Sequence, residues 1–288
     1  DYAAASDESV LSVQEYDGAA RALVWRNNRE NWVEFEVEVP ETGLYEMVVR
    51  YRAYSDGRHS NRPMTLAVMW DGEFPFREAR SIRFPRLFRD DLPLRTDRFG
   101  DHIRPQSIEI ERWETLALTD SDDSYNGPLQ WYLTEGVHTL RLQGHQPIAL
   151  DTIEFRPPQT AASYAERMGG ETPAPWSGEA VVIEAEQMLE KNEVSVQILS
   201  DQDAWMSPRA NGNTIYNAVG GNRWNDGGER ISWSFTVPES GWYNIAFRLL
   251  NNLQSNVTSF RKIMIDGEVP YQELLAFPVP YANQWQKV

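Results

Sequence analysis

Two groups of side chains in this sequence have the types and spacing of a recognition site. In one, Trp224 stands between Asn222 and Asn225, with Tyr216 upstream. In the other, Trp25 is followed by Asn27 and Asn28. An aromatic face supplies apolar area, and amide side chains beside it give direction to hydrogen bonds with a polar ligand. Packing of Trp25 and Trp224 on the edge of their own domain is the alternative reading of the same residues. A third group is acidic. Glu184 and Glu186 are two apart, so on a strand they share one face, and Asp151 lies in another run with strand character.

Catalytic chemistry finds little support. His138 shares a strand face with Leu140 and Leu142, which predicts a core histidine, while His59, His102 and His145 fall in loops. No Gly-x-Ser-x-Gly, Walker loop, His-Glu-x-x-His or dinucleotide fingerprint occurs. The absence of Cys excludes disulfides, thiolate metal sites and cysteine nucleophiles. With 27 Lys and Arg against 43 Asp and Glu, the net charge is −16. Phosphate binding needs concentrated basic side chains, so no nucleic-acid or anionic-membrane partner is expected. The chain is read as a binding or structural protein, not an enzyme.

The elements that would position these groups are strands arranged as a repeat. Val39-Pro40-Glu41-Thr42-Gly43-Leu44-Tyr45 is matched by Val237-Pro238-Glu239-Ser240-Gly241-Trp242-Tyr243. Val33, Phe35, Val37 and Val39 alternate with glutamates before the first copy. Ile231, Trp233, Phe235 and Val237 alternate with Ser and Thr before the second. Period-2 alternation predicts a strand with one face in a core. Pro and Gly mark the connection as a turn, so each copy predicts strand, tight turn, strand. Trp70-Asp71-Gly72-Glu73 and Ile265-Asp266-Gly267-Glu268 repeat in the same order, with Asp-Gly as a hairpin signal.

At 288 residues the length fits two domains. The sequence predicts a β-sandwich module over 1–156, a linker with a short helix over 157–178, and a second module over 179–288. Ser163-Tyr164-Ala165-Glu166 has capping-box spacing for that helix. Residues 181–186 predict the opening strand of the second module. Between Arg77 and Pro105 the first module carries a long surface excursion. Leu150 breaks strict alternation in the run 148–155, which predicts a strand buried on both sides. Aligning Trp285 with Trp113 leaves the second module without roughly 40 residues of closing strands, so it is expected to be incomplete at its C-terminus. No apolar run is long enough to span a bilayer. Position 1 is Asp, so any signal peptide is expected upstream.

Taken in order, Glu184-Ala185-Glu186, the two Val-Pro-Glu-x-Gly-x-Tyr turns, the Asp-Gly-Glu turns, and Glu135-Gly136-Val137-His138-Thr139-Leu140 followed by Asp151-Thr152-Ile153-Glu154-Phe155 resemble a known group. It is that of the galactose-binding-like β-sandwiches of carbohydrate-binding module families 6 and 35. The tandem arrangement, with Asp101-His102-Ile103-Arg104-Pro105 in the excursion, is similar to the N-terminal region of extracellular ABC-transporter solute-binding proteins of Gram-positive bacteria.

The resemblance implies an all-β chain of two tandem antiparallel jelly-roll sandwiches, extracellular and anchored at the bacterial cell surface, with a further domain beyond Val288. It implies non-catalytic binding of an oligo- or polysaccharide through Tyr216, Asn222, Trp224 and Asn225, and through Trp25, Asn27 and Asn28. It also implies a structural calcium, for which Glu184, Glu186 and Asp151 are the matching carboxylates. Two other readings stay open: spacer or interaction modules with no sugar binding, and the ancillary region of a glycoside hydrolase.

Overall fold

A computed structural model describes the chain except residues 27–29, 56–60, 123, 145 and 172. It is almost wholly β. The chain divides into two compact units: 1–88 with 108–158 and 226–228, and 89–107 with 159–225 and 229–288. The excursion is thus divided, its stretch 89–107 belonging to the second unit. Among the described residues no helix is long and apolar enough to cross a membrane.

In chain order the first half carries β1 (Ala4–Ala5), β2 (Leu11–Tyr16), β3 (Ala19–Trp25), β4 (Asn31–Val39), β5 (Gly43–Ala53), β6 (Met64–Trp70) and β7 (Ile82–Phe84). It continues through β8 (Leu87–Asp90), β9 (Arg95–Thr96), β10 (His102–Ile103), β11 (Ser107–Ile110) and β12 (Glu114–Ala117) to β13 (Gln130–Leu133), β14 (Gly136–Gly144) and β15 (Ile148–Arg156).

The first unit is an antiparallel sandwich. One sheet runs β1-β4-β14-β6-β7, and the other β12-β5-β15-β3-β2 with β13 also on β5. Alternation works as read. Met64, Leu66, Val68 and Trp70 of β6 are buried and the residues between them are half-exposed. They meet Met47 and Val49 of β5, Leu140 and Leu142 of β14, and Trp131 of β13 in one core. On the outer face, Glu34 and Arg141 stand directly opposite in register and pair, with Nε to Oε1 at 2.8 Å. Ile148, Ala149 and Leu150 are buried on both faces, as predicted. A register shift between Leu150 and Thr152 then lets both Leu150 and Ile153 reach the core side, leaving Asp151 at the bulge.

The Pro40 turn corrects the reading of a hairpin. β4 pairs with β1 and β14, whereas β5 pairs with β12, β13 and β15. The turn is therefore an arch from one sheet to the other. A turn motif fixes the local reversal but not the partner, and here both flanking strands direct apolar residues into the space between the sheets. The Asp71-Gly72 turn does behave as read, with φ of 51° and 83° and Trp70 and Glu73 exchanging N–H bonds at 2.9 Å.

In the second unit the helix Tyr164–Met168 has both halves of the capping box, and Gly169 closes it in the left-handed region. Residues 181–186 form no strand. Glu184 and Gln187 instead close a turn, which corrects that expectation. The strands are β16 (Glu190–Lys191), β17 (Ile198–Leu199), β18 (Ala218–Val219), β19 (Ile231–Ser232), β20 (Arg248–Leu249), β21 (Ser259–Arg261), β22 (Phe277–Val279) and β23 (Gln286–Lys287). Residues 233–247 carry no regular strand on either side of Pro238, so the second copy of the motif keeps its turn but not its arms.

These short strands repeat the pairings of the first unit residue for residue. Ala4 opposite Glu34 becomes Glu190 opposite Ser232. Met64 opposite Phe84 becomes Ser259 opposite Val279. Thr115 opposite Arg50 becomes Lys287 opposite Arg248, which supports the alignment of Trp113 with Trp285. β17 and β18 pair as β2 and β3 do. Tyr45 and Tyr243 each donate their hydroxyl to the carbonyl four residues back, at 2.7 and 2.6 Å. Asp266-Gly267 adopts the geometry of Asp71-Gly72, with φ of 52° and 85°.

Candidate functional site

On the outer face of the second sheet of the first unit, β5 turns Glu46, Val48, Arg50 and Arg52 away from the core, between Met47, Val49 and Tyr51. The sheet order β12-β5-β15-β3-β2 brings three rings to this face from distant parts of the chain. Tyr16 ends β2, Tyr54 follows β5, and Trp113 precedes β12. All three are half-buried. The Tyr16 ring lies 5.7 Å from Tyr54 and 6.2 Å from Trp113, the latter edge-on.

Guanidinium groups lie against the rings: Arg52 over Tyr16 at 5.2 Å, Arg50 over Trp113 at 5.0 Å and Arg26 over Tyr54 at 5.7 Å. Carboxylates hold two of them. Arg52 pairs with Asp17 and, at 3.2 Å, with Glu111, and Arg50 pairs with Asp151. The Trp113 indole donates to the Asp17 carbonyl at 2.9 Å, fixing the ring plane. Burial raises the Tyr16 hydroxyl above its ordinary range, with Arg52 opposing. Arg52 is nearly buried, and its Nε–H finds no partner among the described residues. The arrangement offers ring faces and edges for apolar contact, with guanidinium and carboxylate groups to exchange hydrogen bonds with hydroxyls.

The sequence-predicted residues are placed differently. Trp25 is fully buried in β3 beside Ile148, its Nε1–H unpartnered among the described residues, so it presents no face to a ligand. That corrects its reading as a ligand-facing aromatic: the register of β3 on β15 puts it inside the sandwich. Asn27 and Asn28 lie outside the described residues. Tyr216 is also buried, in a small core with Met188, Val196, Ile198 and Ile231. Its backbone N–H donates to His102 Nδ1 at 3.1 Å, and Arg104 covers its ring at 5.1 Å.

Trp224 packs half-buried on that core. It donates to the Glu229 carbonyl at 3.1 Å, with Arg261 over its ring at 4.9 Å. Burial pulls Arg261 below its ordinary range, and Glu229 opposes this. Asn222 and Asn225 are exposed on the same loop. The structure thus brings Tyr216 and Trp224 together as packing residues and leaves the two amides outside.

For a metal, no three His, Asp or Glu side chains converge among the described residues. Asp151 is taken by Arg50. Glu186 is buried in the second unit, which raises its carboxyl above its ordinary range, and its Oε2 has no partner among the described residues. Asp151 falls in the first unit and Glu184 and Glu186 in the second, and burial of Glu186 disfavours the ionised form that a calcium ligand needs.

His138 is also corrected. It lies near the start of β14, with Nδ1 2.7 Å from Asp71 Oδ2 and Nε2 2.8 Å from the Thr134 carbonyl oxygen. Both ring nitrogens face acceptors, and the Asp71 hydrogen bond raises His138 above its ordinary 6.5.

No family model matches the sequence, and no curated protein matches it. Solved structures show a distant likeness. A family 35 carbohydrate-binding module from Clostridium thermocellum aligns with 51% of this chain and 85% of its own, at 13% identity and a TM-score of 0.28. The C-terminal family 6 module of the marine laminarinase LamC from Zobellia galactanivorans covers 54% and 93%, at 8% identity and 0.31. A family 6 module from Clostridium stercorarium, solved with cellobiose, covers 55% and 89%, at 13% identity and 0.28. At such TM-scores the likeness bears no weight, and function rests on the chain's own residues.

Proposed function

We propose that the first unit is a non-catalytic carbohydrate-binding sandwich whose site is the outer face built from Tyr16, Tyr54 and Trp113. One observation carries this reading: three half-buried rings lie on one sheet face, interleaved with Arg50, Arg52, Asp17 and Glu111. A sugar ring has apolar C–H faces and a rim of hydroxyls, and such a surface answers both. The wider context is part of the proposal: an extracellular, surface-attached protein of sugar uptake. Sequence resemblance alone supports that context. Calcium at Glu184 and Glu186 is likewise part of the proposal, and sequence resemblance alone supports it.

A glycan array with the full chain is expected to show binding. Trp113→Ala and Tyr54→Ala should weaken it about tenfold or more, as ~1.4 kcal/mol or above for a buried aromatic anchor. Folding of each variant is checked by circular dichroism. A second reading is favoured by one feature, that each ring is already covered by a guanidinium. If folded wild type binds no glycan, the face is structural cement and the modules are spacers.

A further inference from the structure

The face that carries Tyr16, Tyr54 and Trp113 does not end with them. From Arg52 and Arg50, β5 runs on towards the arch and turns Val48, Glu46 and Leu44 to the same side. Val48 and Glu46 are buried, and Arg156 holds the Glu46 carboxylate at 3.1 Å. They form the floor of a trough, because the outward side chains on both neighbouring strands reach water. On one side, Thr152 and Glu154 of β15 stand opposite Arg50 and Val48. On the other, Thr115 of β12 stands opposite Arg50, and Gln130 of β13 opposite Glu46. All four are exposed. The walls therefore offer hydroxyl, amide and carboxylate groups along the strand.

A fourth ring stands at the far end. Tyr132 of β13 lies opposite Leu44, and the two are 66% and 47% exposed. Trp131 and Leu133 on either side of it are buried in the core, so Tyr132 points outward. Tyr16, Tyr54 and Trp113 each lie under a guanidinium. Among the described residues no cation covers Tyr132, whose ring is open to a ligand. A strand advances about 3.4 Å per residue, so Leu44 stands roughly 27 Å from Arg52. That is several times the length of one sugar ring.

Resting on the reading of Tyr16, Tyr54 and Trp113 as a sugar site, we infer that the ligand is a linear saccharide chain several sugars long. It lies along β5, with Tyr132 as the platform at its second end. The exposed Tyr132 ring and Leu44 supply apolar area for the C–H face of a sugar, and the walls meet hydroxyls in between. Glu154 presents an exposed carboxylate to the trough and the whole chain carries −16, so the saccharide is neutral and not acidic.

Calorimetric titration of the full chain tests this, with ladders of linear gluco-, manno-, xylo- and galacto-oligosaccharides from trimer to octamer. Affinity within the ladder that binds is expected to climb about tenfold or more with length, as the second platform is reached. Tyr132→Ala should remove most of that climb, and Tyr132→Trp should keep it. Trp113→Ala should lower affinity at every length. Equal affinity at all lengths, or a climb that survives Tyr132→Ala, overturns the inference and leaves the Trp113 site standing. So does a chain that binds on the glycan array but takes no ladder member. Binding to neither fails the sugar reading itself, and this extension falls with it.

Discussion

Charged residues here differ in what they hold, and burial separates them. Arg21 and Asp1 form an ion pair with both side chains at least 70% exposed. Such pairs contribute roughly 0–1 kcal/mol. Lys191 and Asp90 are 1% and 4% exposed, with Nζ donating to Oδ1 at 2.7 Å and to the Val196 carbonyl at 2.8 Å. Removing one member of a buried pair strands the other charge, at about 3–5 kcal/mol. Urea denaturation should therefore find Asp90→Asn strongly destabilising to the second unit, while Asp1→Asn changes little. Equal effects would mean that the lysine reaches water. Neither Lys191 nor Asp90 stood out in the sequence, because no local pattern announces a pair so far apart along the chain.

Elements show how one motif can have two fates. At equivalent places in the two copies, Met47→Ala should cost about 2–5 kcal/mol, and Ile245→Ala less than about 1, because only Met47 lies under a second sheet. Measured by denaturant midpoints, similar losses would show the second unit to be closed.

The β14 end adds a pH signature. His138 is raised by its hydrogen bond to Asp71, so its contribution is complete below the ordinary histidine value near 6.5 and is lost as pH rises through the higher folded value. Burial alone would raise Asp71, but hydrogen bonds from His138 and the Thr139 N–H bring it below its ordinary 3.8. Its contribution is complete above that value and is lost as pH falls through the lower folded one. The first unit should be most favoured by this pair between about pH 4 and 6.5. The window should flatten in Asp71→Asn, read from melting temperature against pH.

At the scale of the molecule, what was legible in the sequence was local. Alternation, Pro-Glu-x-Gly turns, Asp-Gly turns and the Ser163 capping box each act over a few residues, and the structure holds them, except that the alternating run 231–237 forms a strand only at Ile231–Ser232. Pairing partners were not legible, since the turn at Pro40 joins two sheets and not two neighbours. The candidate face was missed for the same reason. Tyr16, Tyr54 and Trp113 meet only through the order of five strands, while Trp25, adjacent to an Asn-rich stretch, drew attention and proved to be core. The one signal available was the recurrence of Trp113 as Trp285 ahead of matching strands.

Hydrogen exchange of the full chain, with and without the strongest glycan from the array, tests most directly where binding occurs. The account predicts added protection around Tyr16 and Asp17, along β5 near Arg50 and Arg52, and over residues 111–115. Protection confined to the loop around Trp224, or none on the β5 face, would contradict it.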